Sequence, residues 1–131
     1  MKKGTFGILL VEDNPADARL VKDSLRGASE IAYRLDHAES LQGAFKLIAK
    51  HTYSLAILDL TLPDGKGIDA VMKIKELAPD TEIIVFTEYN GETEPFDILK
   101  EGIDTYLIKG RTNADTLKQN IGYVLEKSRR A

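Results

Sequence analysis

The sequence predicts an α/β fold, a (βα)5 three-layer sandwich in which one parallel sheet lies between two layers of helices. Short apolar runs alternate with stretches of helical periodicity along the whole chain, which is the pattern of a parallel sheet covered on both faces. The 131 residues, 43% hydrophobic and 30% charged, suit one domain with a substantial core. We therefore expect residues 1–131 to form a single domain.

Five segments have the length and composition of strands: residues 6–11, 33–38, 55–58, 83–86 and 106–108. The first, third and fourth are continuous apolar runs, as expected for central strands that are buried on both faces. The second alternates between apolar and polar residues and the last is brief, so both are placed at edges. The predicted strand order is 2-1-3-4-5, and right-handed crossovers put the switch point of the sheet between strands one and three.

Five helices are predicted between and after these strands. Asn14 caps the first, which ends at Gly27, and Ser40 caps the second. The third must end before Pro79, because the residue before a proline disfavours the α region. The fourth is expected at about residues 92–101, with Gly102 as its stop. The apolar positions of the other four are Ala18, Val21 and Leu25; Leu41, Ala44, Phe45 and Ile48; Ile68, Val71 and Met72; and Leu117, Ile121, Val124 and Leu125.

Five polar residues stand at or just past the carboxyl ends of the predicted strands: Glu12, Asp13, Asp59, Thr87 and Lys109. Parallel strands bring such side chains to one edge of the sheet, where ligands bind in open α/β folds. Taken singly, each has an ordinary explanation as a helix cap, a loop residue or a strand terminator. Together, three acids, one hydroxyl and one amine indicate a site for a divalent cation and a phosphoryl group.

A bound cation would relieve the crowding of the three acids. Carboxylates a few ångströms apart repel one another by roughly 4 kcal/mol per close pair at an effective dielectric constant near 20. Mg²⁺ prefers carboxylates, waters and phosphate oxygens as ligands. We expect Asp13 and Asp59 as direct ligands, a main-chain carbonyl near Thr61 as a third, and Glu12 acting through water.

Asp59 is also the candidate nucleophile, since an aspartate can attack phosphorus to form an acyl phosphate. The transferred group carries additional negative charge. Lys109 can supply a cation and Thr87 a hydrogen-bond donor, each from the end of another strand.

The chain resembles the receiver domain of two-component response regulators over residues 5–128. The resemblance rests on residues 10–14 (LVEDN), 58–65 (LDLTLPDG), 86–87 (FT) and 106–109 (YLIK). It implies the flavodoxin-like fold and a signalling switch, not an enzyme in the usual sense. In such a switch Asp59 would accept a phosphoryl group from a sensor histidine kinase or a phosphotransfer protein, with Mg²⁺, and the domain would assist its own phosphorylation and dephosphorylation.

The resemblance also implies a conformational switch. Thr87 would move toward the phosphoryl group and Tyr106 would change rotamer, which remodels the face formed by the fourth helix, fifth strand and fifth helix. A partner would read that face, and a homodimer could form through it. Thr61 and Tyr89 take positions that flank the reactive aspartate and tune hydrolysis of the phosphate.

Two positions depart from the family pattern. Receivers usually have a proline after the lysine, often joined by a cis peptide, whereas this chain has Gly110. We therefore predict a trans Lys109–Gly110 bond. Glu88 stands where a small residue is usual, beside the incoming phosphoryl group, and we expect it to slow phosphorylation by small donors.

Composition excludes several classes of function. A net charge of −3 and a pI near 5.4 argue against nucleic-acid binding. The absence of cysteine rules out disulfides and thiolate metal sites. No apolar run is long enough to span a membrane or to form a signal peptide, so a cytoplasmic location is expected. His37 and His51 are interpreted as surface or edge-strand residues away from the site.

Three functions are compatible with these residues to different degrees. The leading one is a stand-alone phosphorylation switch without an output domain. A haloacid dehalogenase-like phosphatase also uses a strand-end aspartate with Mg²⁺, but it needs a second acid two residues later, where this chain has Thr61. The alternative favoured by Glu88 and Gly110 is a non-phosphorylated protein-interaction module with the same fold.

Overall fold

The computed structural model describes residues 5–28, 31–88 and 102–130, and their backbone forms one parallel sheet flanked by helices. The sheet strands are β1 (Thr5–Val11), β2 (Ala32–Ala38), β3 (Leu55–Leu58), β4 (Glu82–Thr87) and β5 (Thr105–Ile108). The helices are α1 (Pro15–Arg26), α2 (Leu41–Lys50), α3 (Ile68–Leu77) and a C-terminal helix (Ala114–Arg130). The helix predicted near residues 92–101 lies outside the described residues.

The strand order is β2-β1-β3-β4-β5, and every pairing is parallel, which confirms the predicted topology. Each predicted strand matches the observed one to within one residue at either end. The register pairs Val11 with Leu58 and Thr87 with Ile108. The carboxyl ends of β1 and β3, and those of β4 and β5, therefore lie level with each other.

The core is divided by the sheet into two apolar clusters. Leu9 and Val11 of β1 face the cluster that α2 and α3 cover, whereas Ile8 and Leu10 face the cluster beneath α1 and the C-terminal helix. Successive side chains of a strand point to opposite faces, so a strand between two helical layers must be apolar at every position. Full burial of each such side chain contributes about 1.5–3 kcal/mol.

The helix boundaries follow their predicted signals. The Asn14 side chain accepts hydrogen bonds from the main chain of Ala16 and Asp17, and Gly27 follows the last residue of α1. The Ser40 hydroxyl accepts from the main chain of Gly43 in α2.

The apolar faces of the four helices described agree with the sequence except at Met72. Its side chain is 49% exposed, and α3 instead packs through Ala70, Val71 and Ile74. The predicted face of the C-terminal helix is buried as expected. None of the helices described is long and apolar enough to cross a membrane.

A short antiparallel hairpin, in which Thr61–Leu62 pairs with Gly65–Lys66, follows β3. The Asp64 carboxylate at its tip accepts hydrogen bonds from the main chain of Leu41 and Gln42 at the start of α2. These bonds satisfy two N–H groups that a helix cannot pair internally, and they hold the hairpin beside the end of the sheet.

The Lys109–Gly110 bond is trans, since no cis peptide occurs among the described residues, and the prediction is confirmed. Gly110 has φ of 84°, in the left-handed region that glycine adopts without a steric penalty. The loop after β5 thus depends on glycine at this position.

Candidate functional site

The hydrogen-bond ladder of the sheet continues past the strand ends and aligns the predicted site residues. The Glu12 N–H donates to the Ala38 carbonyl (2.9 Å), and the Asp59 N–H donates to the Val11 carbonyl (3.1 Å). The Lys109 N–H donates to the Thr87 carbonyl (2.9 Å). Backbone pairing alone therefore sets the positions of Glu12, Asp59 and Lys109.

Asp59 is the centre of the site, with only 2% of its surface exposed. Its Oδ1 accepts from the Thr87 hydroxyl at 2.8 Å and from the Thr61 main-chain N–H at 3.2 Å. The Thr61 hydroxyl lies 3.1 Å from Oδ1, and Lys109 Nζ lies 3.2 Å from Oδ2. Burial alone would raise the pKa of Asp59, but the Thr87 hydroxyl and the Lys109 charge lower it below its usual value. Asp59 is consequently an ionised and almost fully buried carboxylate.

Lys109 is the cation of the site, and its side chain is only 8% exposed. Nζ lies 3.0 Å from Glu12 Oε2, 3.0 Å from Asp17 Oδ2 and 3.2 Å from Asp59 Oδ2. Burial lowers the pKa of Lys109, but the hydrogen bonds to Asp17 and Glu12 and the charge of Asp59 more than offset this and raise it above its usual value. The amine therefore stays protonated.

Glu12 is the acid of the group whose ionisation is least favourable. It is 1% exposed, and burial together with the neighbouring Asp59 raises its pKa from 4.5 to about 7. Lys109 and the main-chain N–H of Asn14, 3.2 Å from Oε2, oppose that rise only in part. A second positive charge at this position would favour the ionised form.

The side chains of Glu12, Asp13 and Asp59 form a group that could hold a metal ion, with carboxylate oxygens all within 4.8 Å of one another. Asp13 is exposed and the other two are buried, so the group opens to solvent on the Asp13 side. An all-oxygen, carboxylate-rich donor set suits a hard divalent cation such as Mg²⁺. The Thr61 main-chain carbonyl as a further ligand stays a prediction, because the observed Thr61 contacts to Asp59 are made by its N–H and hydroxyl.

Of the two predicted switch residues, Thr87 is the last residue of β4 and Tyr106 is the second residue of β5. The Thr87 side chain is already turned toward Asp59, and its oxygen also accepts from the Leu60 main-chain N–H at 3.3 Å. Tyr106 is partly buried against the cluster beneath α2 and α3. Glu88 is exposed directly after Thr87, and Tyr89 lies outside the described residues.

Two residues reach the site that sequence reasoning did not place there. Asp17, in the first turn of α1, pairs with Lys109. His37 lies on the edge strand as expected, but its Nε2 is 2.8 Å from the Glu12 carbonyl oxygen, so the expectation that it lies away from the site was wrong. A carbonyl can only accept, hence Nε2 donates. The only available signal was position, since Asp17 is one helical turn after Asp13 and His37 is one residue before the end of β2.

The sequence matches the family model of the response regulator receiver domain over residues 8–121, and the chain belongs to this family. It is 32% identical over 111 residues to the nitrate/nitrite response regulator NarL of Escherichia coli, which covers 85% of this chain and 51% of NarL. It is 32% identical over 102 residues to the transcriptional regulatory protein SrrA of Staphylococcus aureus, covering 78% of this chain and 41% of SrrA. The chain thus spans about half the length of these relatives or less.

Solved structures show the same architecture. A CheY-like receiver domain from Methanospirillum hungatei superposes with a TM-score of 0.83 at 25% identity, covering 96% of this chain and 98% of the other. The receiver domain of a LuxO repressor protein from Vibrio parahaemolyticus gives 0.84 at 28% identity, with 96% and 94% covered. The Mn²⁺-bound form of the response regulator Rcp1 gives 0.74 at 28% identity, with 89% and 90% covered.

The chain is therefore a receiver domain of two-component signalling, with the flavodoxin-like fold that the sequence implied. It is a signalling domain and not a classical enzyme, and the phosphatase reading is set aside. Nothing in the comparisons favours the non-phosphorylated interaction module.

Proposed function

We propose that residues 1–131 form one receiver domain whose Asp59 accepts a phosphoryl group from a sensor histidine kinase or a phosphotransfer protein. The observation that carries this proposal is the environment of Asp59. An ionised, buried carboxylate lies between the Thr87 hydroxyl at 2.8 Å and the Lys109 amine at 3.2 Å. Thr87 and Lys109 donate hydrogen bonds to the carboxylate now, and both could donate to the oxygens of a phosphoryl group attached to it.

The transfer forms one bond and breaks another. A carboxylate oxygen of Asp59 attacks phosphorus, and the bond between phosphorus and the donor breaks, with the electron pair leaving on the donor atom. Lys109 and Thr87 then donate hydrogen bonds to phosphoryl oxygens and stabilise the charge that has moved outward. Hydrolysis is the same displacement with water attacking phosphorus and Asp59 leaving as a carboxylate.

Glu12, Asp13 and Asp59 would hold the Mg²⁺ ion, with Asp13 and Asp59 as direct ligands, Glu12 through water and the Thr61 carbonyl as a further donor. A bound Mg²⁺ would reduce repulsion between the carboxylate and the incoming phosphoryl oxygens. The crowding of three carboxylates, relieved by one lysine, supports this assignment. Further support comes from the Mn²⁺ ion bound by the related Rcp1.

The output follows from Thr87 and Tyr106, which we propose as the switch residues. When the Thr87 side chain moves to contact the phosphoryl group, it leaves space beside β4. Tyr106, on the adjacent edge strand, can then change rotamer. The face that includes β5 and the C-terminal helix would then bind a partner or a second copy of the chain. We also propose a cytoplasmic location, with neither nucleic acid nor membrane as a partner of this domain.

The test is incorporation of phosphate from acetyl phosphate, followed by intact mass. The wild type should gain one phosphoryl group in Mg²⁺ and none in excess chelator, and Asp59→Asn should gain none. Asp69→Asn, an exposed acid in the first turn of α3, is the matched control and should behave as the wild type. Equal incorporation by Asp59→Asn, or incorporation that ignores Mg²⁺, would contradict the proposal.

A further inference from the structure

Lys109 has one more partner than the proposed phosphoryl chemistry uses. An ammonium group has three N–H donors, and here three carboxylates lie within 3.2 Å of Nζ. Two of them, Glu12 and Asp59, belong to the sheet edge. The third is Asp17 of α1, 3.0 Å away, which the proposed function leaves without a role.

A phosphoryl group on Asp59 needs a hydrogen bond from Lys109, whose three N–H groups already have carboxylate partners. The Lys109 side chain is 8% exposed and its three donors face three acceptors, so a new contact requires one old contact to be lost. Phosphorylation moves the charge of Asp59 onto the phosphoryl oxygens, and Lys109 must shift to follow that charge, which weakens its pair with either Glu12 or Asp17. Glu12 is 1% exposed, and a buried carboxylate that loses its cation is costly. The Asp17 side chain is 26% exposed, so water can replace the lysine there.

Asp17 also keeps a favourable environment when the lysine leaves it. It lies in the first turn of α1, where the unpaired N–H groups of the helix favour negative charge. Its own N–H is held by Asn14 Oδ1 at 3.1 Å, so the helix end does not depend on the ion pair.

We propose that Asp17 is a positioning residue that holds Lys109 in the unphosphorylated protein and releases it to the phosphoryl group. The inference rests on the proposed function, because it concerns the same lysine. The pair with Asp17 favours the unphosphorylated state, so removing it should make the protein bind a phosphoryl mimic more tightly.

The experiment measures the affinity of the full chain for beryllofluoride in saturating Mg²⁺ by calorimetric titration. Asp17→Asn should tighten binding by about two- to fivefold, the range expected for losing one partly exposed ion pair. The same variant should be slightly less stable to urea without ligand. Tighter binding in a less stable protein separates a role through Lys109 from a merely structural one, and Asp17→Glu should return the affinity toward the wild-type value.

Two controls remove one negative charge elsewhere. Asp23→Asn alters an acid of α1 that pairs with Arg19 and Arg26, and Glu39→Gln alters an exposed acid just after β2, at the same edge of the sheet as the site. Neither should change the affinity. Unchanged binding by Asp17→Asn, or an equal gain in Glu39→Gln, overturns the inference and leaves the proposed function intact. A wild type that binds no beryllofluoride contradicts both.

Discussion

At the scale of single residues, the site is a balance between buried negative charge and one lysine. Asp59 accepts donors on both oxygens, whereas Glu12 shares Lys109 and receives one main-chain N–H. The balance leaves Asp59 ionised and Glu12 partly protonated near neutrality. Glu12 is thus the residue whose charge state should respond most to pH and to a bound cation.

In the presence of a chelator, Glu12 should make folding stability fall as the pH rises from 5 to 8. Its pKa is raised from 4.5 to about 7, so between these values the folded protein binds more protons than the unfolded chain. The loss attributable to Glu12 should be on the order of 2–3 kcal/mol. Urea unfolding of wild type and Glu12→Gln at both pH values measures it, and a difference between the two proteins that stays constant with pH would contradict the assignment.

Glu88 should restrict access to Asp59. It is exposed next to Thr87, where its charge repels an incoming dianion. Glu88→Ala is therefore expected to react with acetyl phosphate several times faster, and Glu39→Gln serves as the charge control. Identical rates for Glu88→Ala and the wild type would end this idea.

At the scale of elements, side-chain contacts join the edge strand β2 to Tyr53, two residues before β3. The Tyr53 hydroxyl donates to Asp36 Oδ2 at 2.6 Å, and Arg34 pairs with the same oxygen at 2.6 Å while lying over the Tyr53 ring. Tyr53 is 3% exposed. An edge strand pairs on one side only, so these side-chain contacts add to its attachment.

Tyr53→Phe should reduce the free energy of unfolding by about 1–2 kcal/mol at neutral pH, because a hydrogen bond to a charged acceptor is lost. The Tyr53 hydrogen bond lowers the pKa of Asp36 below its usual 3.8. The stabilisation by this hydrogen bond is therefore fully present above pH 3.8. It is lost as the pH falls through the lower pKa that Asp36 has in the folded protein. Urea unfolding at pH 7 and pH 3 tests this.

Tyr33→Phe, a partly buried tyrosine of β2, is the control and should change little. A Tyr53→Phe deficit that persists undiminished at pH 3 would show that the hydroxyl does not act through the Asp36 carboxylate.

At the scale of the whole molecule, the sequence was sufficient to predict the topology of the sheet and the residues at its carboxyl edge, because both depend on strand order. Continuous apolar runs identify the central strands, strand order fixes which ends are neighbours, and parallel pairing then brings Glu12, Asp59 and Lys109 together. Each step uses only the period of the pattern and backbone geometry. The fold and the clustering of five candidate site residues could therefore be predicted.

Contacts between different layers could not be predicted in the same way. The pair between Asp17 and Lys109 depends on how closely α1 approaches the sheet, and the Asp64 contacts depend on how the hairpin meets α2. Met72 was misplaced because a helical stripe of three apolar residues does not fix the direction of the face. Helix rotation and loop placement are set by packing, which a pattern of residue types does not contain.

The central claim is that the carboxylate of Asp59, and no other group, carries the phosphoryl group. Borohydride reduces an acyl phosphate to an alcohol, so reduction after reaction with acetyl phosphate and Mg²⁺ leaves a permanent mark on the acceptor residue. Peptide mass mapping should find the reduced residue at position 59 alone, and none when chelator replaces Mg²⁺. A mark at position 12 or 13, or an unreduced protein that has nevertheless gained phosphate, would contradict the account.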